Sequence, residues 1–153
     1  EALPGEGAVA DRWVAHPETA VRAIATGLRL LHALPVDDCP FSWRPADRIR
    51  SARAHGGLVP TALEAPPSVD RLVVAHGDAC APNTLLDASG AFLATVDVGR
   101  LGLADRWSDL AVATMSLESS YGAGLEPVFW QAYGIEPDLE RIAYYRALWD
   151  VAD

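Results

Sequence analysis

An aspartate, Asp78, stands five residues ahead of an asparagine, Asn83, and a second aspartate, Asp97, follows fourteen residues after that. These three side chains suit phosphoryl transfer. A carboxylate can accept a hydrogen bond from an attacking hydroxyl, aim it and take up its proton. A carboxamide oxygen and a second carboxylate are the hard oxygen ligands that Mg²⁺ prefers. Because such a reaction passes through a loose transition state, the placing of the acid matters more than its basicity.

The neighbours strengthen this reading. His76-Gly77-Asp78-Ala79-Cys80-Ala81-Pro82-Asn83 followed by Asp97-Val98-Gly99-Arg100 has the H-x-D-x-x-x-x-N and D-x-G spacing of a kinase catalytic loop and metal loop. Asp78 is then the hydroxyl-orienting acid, and Asn83 and Asp97 are magnesium ligands. The plainer alternatives are a loop cap for Asp78, an Asx-turn for Asn83 and a turn cap for Asp97. His76 is expected to brace the loop, since the acid two residues on already fills the orienting post. Arg100 either holds the loop or contacts substrate. Glu118, Asp150 and Asp153 are acids that could hold amines or stand as solvated carboxylates.

These residues need elements to carry them. Leu72-Val73-Val74-Ala75 reads as an apolar strand feeding into His76. Thr84 to Asp87 and Phe92 to Val96 read as two strands joined through Ala88-Ser89-Gly90, which would bring residues 83 and 97 side by side. Upstream, residues 1–12 read as an irregular lead-in. A helix opens near Pro17 and runs to about Leu34, with Val21, Ile24, Ala25, Leu28 and Leu31 on one face. Phe41 and Trp43 are expected to anchor the following loop, and Asp47 to Ala54 form a short Arg-rich helix. Between 55 and 69 there is room for one helical turn around Thr61 to Ala65. Asp105 is expected to cap a helix through about Tyr121, with a capping or loop-tethering role for Asp109. Leu125 to Tyr133 form the next helix. A last helix opened by Pro137 buries Leu139, Ile142, Ala143 and Leu148. The fold class is α+β and mostly helical, with a small embedded β-hairpin.

Composition bounds the function. The formal charge is −9, and residues 105–153 hold nine acids against three arginines. That sign repels nucleic acid and attracts cationic small molecules. No run is long and apolar enough for a membrane span, and residues 1–16 carry no basic start with an apolar stretch, so a cytoplasmic protein is expected. Two cysteines, Cys39 and Cys80, are expected as reduced, semi-buried thiols. Lysine is absent from all 153 positions, and no Gly-rich loop precedes an apolar strand. The parts that grip a nucleotide triphosphate are therefore expected to lie outside this chain.

With these residues in place, the chain resembles the aminoglycoside phosphotransferases, particularly the kanamycin/neomycin and streptomycin kinases. The likeness runs through Leu31-His32-Ala33-Leu34 to Phe41, Val73 to Asn83, Asp97 to Thr114, and Tyr133-Gly134-Ile135 to Arg146. It implies the C-terminal lobe of a protein-kinase-like fold over residues 1–153, with the N-terminal nucleotide-binding lobe absent. The implied activity is ATP- and Mg²⁺-dependent phosphorylation of an aminoglycoside hydroxyl, conferring antibiotic resistance, with the isolated lobe inactive. By resemblance Asp78 is the catalytic aspartate, Asn83 and Asp97 hold magnesium, Arg100 belongs to the metal loop and Asp150 holds substrate. The chain departs from the pattern at Ser116 and Ser119, where kanamycin-type members place carboxylates, and residues 55–70 are shorter than usual. A kinase of another small hydroxylated molecule and a non-catalytic helical binding domain are the alternatives.

Overall fold

The computed structural model describes residues 4–152. Asp153 lies outside the described residues. The elements follow in the order β1 (Glu6–Gly7), α1 (Asp11–Val14), α2 (Pro17–Leu31), α3 (Pro45–Ala54), β2 (Leu72–Ala75), β3 (Thr84–Leu86), β4 (Phe92–Thr95), β5 (Gly102–Asp105), α4 (Trp107–Tyr121), α5 (Glu126–Tyr133) and α6 (Leu139–Ala152). Single 3₁₀ turns occupy Thr61–Glu64 and Ala81–Asn83. No described helix is long and apolar enough to cross a membrane.

Two nested antiparallel ladders set the architecture. The outer one pairs β2 with β5, from Leu72 opposite Asp105 to Ala75 opposite Gly102. The inner one pairs β3 with β4, from Thr84 opposite Thr95, with an irregularity between Leu85 and Leu86. Because β3 and β4 lie in sequence between β2 and β5, the chain crosses from the outer ladder to the inner one at residues 76–83. It crosses back at residues 96–101. Both candidate loops are therefore these crossings, and they lie together by topology.

The helices form the support. Proline opens α2 at a position where its missing N–H costs nothing. Val21, Ile24, Ala25 and Leu28 are buried as their spacing requires. The helix ends at Leu31, short of the expected Leu34, and the chain leaves it through turn bonds from Ala33 N to Leu30 O (3.2 Å) and from Leu34 N to Leu31 O (3.1 Å). It packs against α5 and β4. α4 is buried on nearly every side, from Trp107 through Thr114, and packs on α6. A helix buried around most of its girth belongs in the interior, and its buried polar members Ser108, Asp109, Thr114 and Ser116 are each hydrogen-bonded.

Several expectations are corrected. The lead-in is not irregular: Glu6 and Gly7 pair with Leu86 and Leu85, and α1 buries Trp13. A two-residue strand has no periodicity to read and exists only because β3 offers it an edge. Gly102–Asp105 forms a strand, so Asp105 ends β5 and α4 begins at Trp107. Asp105 still accepts a hydrogen bond from Trp107 N (3.2 Å). Phe41 is 62% exposed. Its carbonyl rather than its ring makes the attachment, by accepting Leu103 N at 2.9 Å. On α6 the buried face runs through Ile142, Tyr145 and Leu148. Ala143 is turned away from it, and Leu139 stands uncovered in the first turn, 76% exposed.

Candidate active site

β2 ends at Ala75 and delivers the 76–83 loop directly from a strand buried from Val73 onward. His76 is itself 1% exposed. Its ring uses both nitrogens: Nε2 donates to Val96 O (3.0 Å), and Nδ1 accepts from Asp78 N (3.2 Å). The first bond joins the catalytic loop to the residue before Asp97. The second fixes the backbone of Asp78. With both nitrogens engaged in this tautomer, the ring braces the two loops.

Gly77 has φ +83°, a conformation costly for any residue with a side chain. A Cβ there would overlap the Arg100 carbonyl oxygen and lie 2.6 Å from Arg100 Cβ. Glycine is required because the two loops touch backbone to backbone at this point.

Asp78 is half-buried, and its Oδ1 is a buried oxygen with no hydrogen-bond partner. Buried carboxylate oxygens without partners are costly, and in native proteins they mark sites that engage something else. Asn83 sits at the end of the Ala81–Asn83 turn, where Pro82 stiffens the approach. Its Nδ2 donates to Asp78 O (2.9 Å). Facing a carbonyl fixes the amide orientation and leaves Oδ1 uncommitted. The inner ladder extends one step past β3 and β4: Val96 N donates to Asn83 O (2.9 Å), and Thr95 Oγ1 adds a bond at 3.2 Å. Asp97, the next residue, is exposed and has φ +57°. Aspartate tolerates this left-handed conformation better than most residues, and such outliers cluster at working sites.

Two side chains of α4 fasten the loop from below. Asp109 Oδ2 accepts His76 N (2.6 Å), and Oδ1 accepts Gly77 N (3.0 Å). Ser116 Oγ accepts Ala81 N (2.9 Å). Residues seven apart share a helix face and stand about 10 Å apart along it, so one face of α4 holds both ends of the loop. Asp109 is in turn held by His32 Nε2 (3.0 Å), whose Nδ1 meets Tyr133 Oη at 2.8 Å. Burial pushes the Asp109 carboxyl up, but the His32 bond and charge and the two backbone N–H groups outweigh it. The result lies below the ordinary carboxylate value. Tethering by Asp109 was legible in the sequence. His32 and Ser116 were not assigned this role, although His32 falls four residues after Leu28 on the buried stripe of α2.

Cys80 lies between Asp78 and Ser116. Burial, and then the Asp78 carboxylate beside it, push its thiol up to about 12. Both cysteines are free thiols of intermediate burial.

The other acids are less gathered. Glu118 is exposed and lines a separate hollow with Leu117, Gly122 and Glu126 at the far end of α4. It is two residues from Ser116, roughly 200° around the helix, which directs it away from the loop. Asp150 is exposed on the last turns of α6, next to Trp149, whose ring reaches Arg100.

Hollows of about 580 Å³ at Trp130–Pro137 and about 490 Å³ at Pro45–Pro66 share no residue with the loops. Beneath the catalytic loop is a void of only about 10 Å³, lined by His76, Cys80, Asn83 and Phe92 among others. Neither Asp78 nor Asp97 lines these hollows; Asp97 is exposed, and Asp78 is half-buried with its Oδ1 covered. Among the described residues no three His, Cys, Asp or Glu converge to hold a metal alone. One amide oxygen and one carboxylate fit Mg²⁺, which usually completes its shell with phosphate and water.

Comparison with known proteins agrees with this geometry. Residues 1–145 match the model of the phosphotransferase enzyme family. The chain is 37% identical to the aminoglycoside 3'-phosphotransferase of Streptomyces fradiae, covering 97% of this chain and 65% of that protein. It is 32% identical to the enzyme of the same name from Niallia circulans, over 95% of this chain and 63% of the relative. The crystal structure of an aminoglycoside-3'-phosphotransferase of type VIII superposes with a TM-score of 0.78 at 29% identity, covering 97% of this chain and 66% of the other. The chain spans less than two thirds of the length of the curated relatives it matches. Its loops, their supporting helix and the match across nearly all its residues place it in the phosphotransferase enzyme family.

Proposed function

We propose that this chain forms the catalytic and substrate-holding lobe of an ATP- and Mg²⁺-dependent kinase that phosphorylates a hydroxyl of an aminoglycoside antibiotic, conferring resistance. The observation that carries the reading is the pair of crossings at 76–83 and 96–101, cross-bonded by His76 Nε2 to Val96 O and by Val96 N to Asn83 O, beside an unpartnered Asp78 oxygen. The triphosphate is gripped by a segment outside these 153 residues, because the chain contains no lysine. The setting is the cytoplasm, where free thiols such as Cys39 and Cys80 persist.

In the reaction Asp78 accepts the hydroxyl hydrogen of the acceptor sugar, aims its oxygen and takes up its proton. The His76 and Asp109 bonds hold Asp78 within the narrow tolerance that such orientation needs. Asn83 Oδ1 and the Asp97 carboxylate would hold magnesium, which when bound neutralises charge on the phosphate oxygens. Asp150 and Asp153 pair the substrate's ammonium groups, and Glu118, turned to a separate hollow, adds only to the attracting field.

The test is a substrate panel. Full-length protein containing this chain is incubated with ATP and Mg²⁺ and, in turn, kanamycin, neomycin, streptomycin and choline, and products are weighed by mass spectrometry. A single added phosphoryl group on an aminoglycoside is expected. Transfer to choline alone, or no transfer to any of the four, contradicts the reading.

A further inference from the structure

Arg100 is held by aromatic rings from two distant elements. Its guanidinium carbon lies 5.9 Å from the ring centroid of Trp43 and 5.7 Å from that of Trp149. Both distances fall within the range where a cation is attracted by a ring face. The backbone of the same residue packs directly on Gly77 of the catalytic loop. Arg100 therefore joins three things: the metal loop to which it belongs, the catalytic loop beneath it and the two indoles.

Each indole is fixed differently. Trp43 is locked to the sheet. Its N donates to Leu103 O (3.0 Å), and Leu103 N donates to Phe41 O (2.9 Å). This close approach depends on Gly102, where a Cβ would lie 3.0 Å from both Ser42 C and Trp43 N. The Trp43 ring packs on Val73, Ala75 and Ala104, and the buried Arg48 approaches it at 5.9 Å. Trp149 belongs to the last turns of α6 and is only half-buried. Trp43 is thus the fixed jaw and Trp149 the one carried by a helix end. Asp150, the acid assigned to substrate amines, is the next residue on that end.

We propose that Trp43 and Trp149 are positioning residues that clamp the Arg100 guanidinium, hold the Asp97–Arg100 loop in register with the catalytic loop, and couple the amine-holding end of α6 to the metal site. The inference rests on the reading that Asp97 holds magnesium. Removing the Trp149 ring leaves every proposed metal ligand in place but frees one side of the loop. A packing role alone would lower the melting temperature without altering metal affinity.

The experiment measures Mn²⁺ binding by electron paramagnetic resonance in full-length protein saturated with ADP, so that no turnover is needed. Trp149→Leu is expected to raise the Mn²⁺ dissociation constant about 2- to 30-fold, the span expected from one cation–π contact. Trp149→Phe, which keeps a ring face, should stay near wild type. Trp149→Gln, also without a ring, serves the same comparison if the leucine variant does not fold. Wild-type affinity in a folded ringless variant overturns the clamp, as does an equal loss in the phenylalanine variant. Asp97→Asn is the control for the underlying reading. If it leaves Mn²⁺ affinity unchanged, the magnesium assignment fails, and the clamp falls with it for that separate reason.

Discussion

The 76–83 loop is well bonded along its backbone while side-chain oxygens of Asp78 and Asn83 are left without partners. Asp78 Oδ1 has none, while the backbone N–H groups of residues 76, 77, 78 and 81 are each bonded to a side chain. That contrast is what an orienting acid needs: a rigid frame and an oxygen not already engaged. Cys80 shows what the same surroundings do to a bystander. Its thiol is raised from 9.0 to about 12, by burial first, then by its hydrogen bond to the Asp78 carboxylate and by that group's charge. Since the thiolate is the reactive form, three units leave roughly a thousandfold less of it at pH 8 than an ordinary thiol would show. Iodoacetamide at pH 8 should leave Cys80 unlabelled in native protein on a timescale that labels it fully after unfolding in urea. Peptide mapping reads the difference, and rapid stoichiometric labelling in the native state would contradict this surrounding.

At the scale of elements, α4 is the part on which the loops depend. Asp109 satisfies two backbone donors and His32 at once, so Asp109→Ala strands three buried polar groups. Removing one partner of a buried pair costs about 3–5 kcal/mol, and urea unfolding at pH 7 should show a loss of that size. The pH dependence follows from the lowered carboxyl. A carboxylate depressed by folding stabilises above its unfolded value, near 3.9, and that contribution disappears as pH falls through the folded value. The gap between wild type and variant should therefore narrow below about pH 4. A constant gap from pH 7 to pH 3 would show that the charge of Asp109 plays no part.

The same scale explains what the sequence could disclose. β2, β3 and β4 were legible because apolar runs bounded by His76, Asn83 and Gly90 mark them locally. α2 was legible from its apolar stripe and Pro17, and α3 and α5 were expected close to their observed bounds, although Pro45, expected in the preceding loop, opens α3. β5 was not, because Gly-Leu-Ala-Asp has weak strand propensity and forms only by pairing with β2. The loop residues Asp78, Asn83 and Asp97 could be named from spacing. The groups that hold them, His32 just past the end of α2 and Ser116 from α4, come from 46 residues upstream and 38 downstream of Asp78. No local pattern links them to it.

Across the whole molecule, the larger hollows lie away from the candidate catalytic groups. The −9 charge favours cationic sugars over nucleic acid at long range. The account then turns on whether Asp78 is the group that aims the acceptor. The direct measurement is the rate of aminoglycoside phosphorylation by full-length protein carrying Asp78→Asn, with folding checked by circular dichroism. General acid–base contributions of this kind are about 10²–10⁴-fold. The account predicts a loss in kcat of that order with KM for the aminoglycoside little changed, and a folded variant that turns over at the wild-type rate would contradict it.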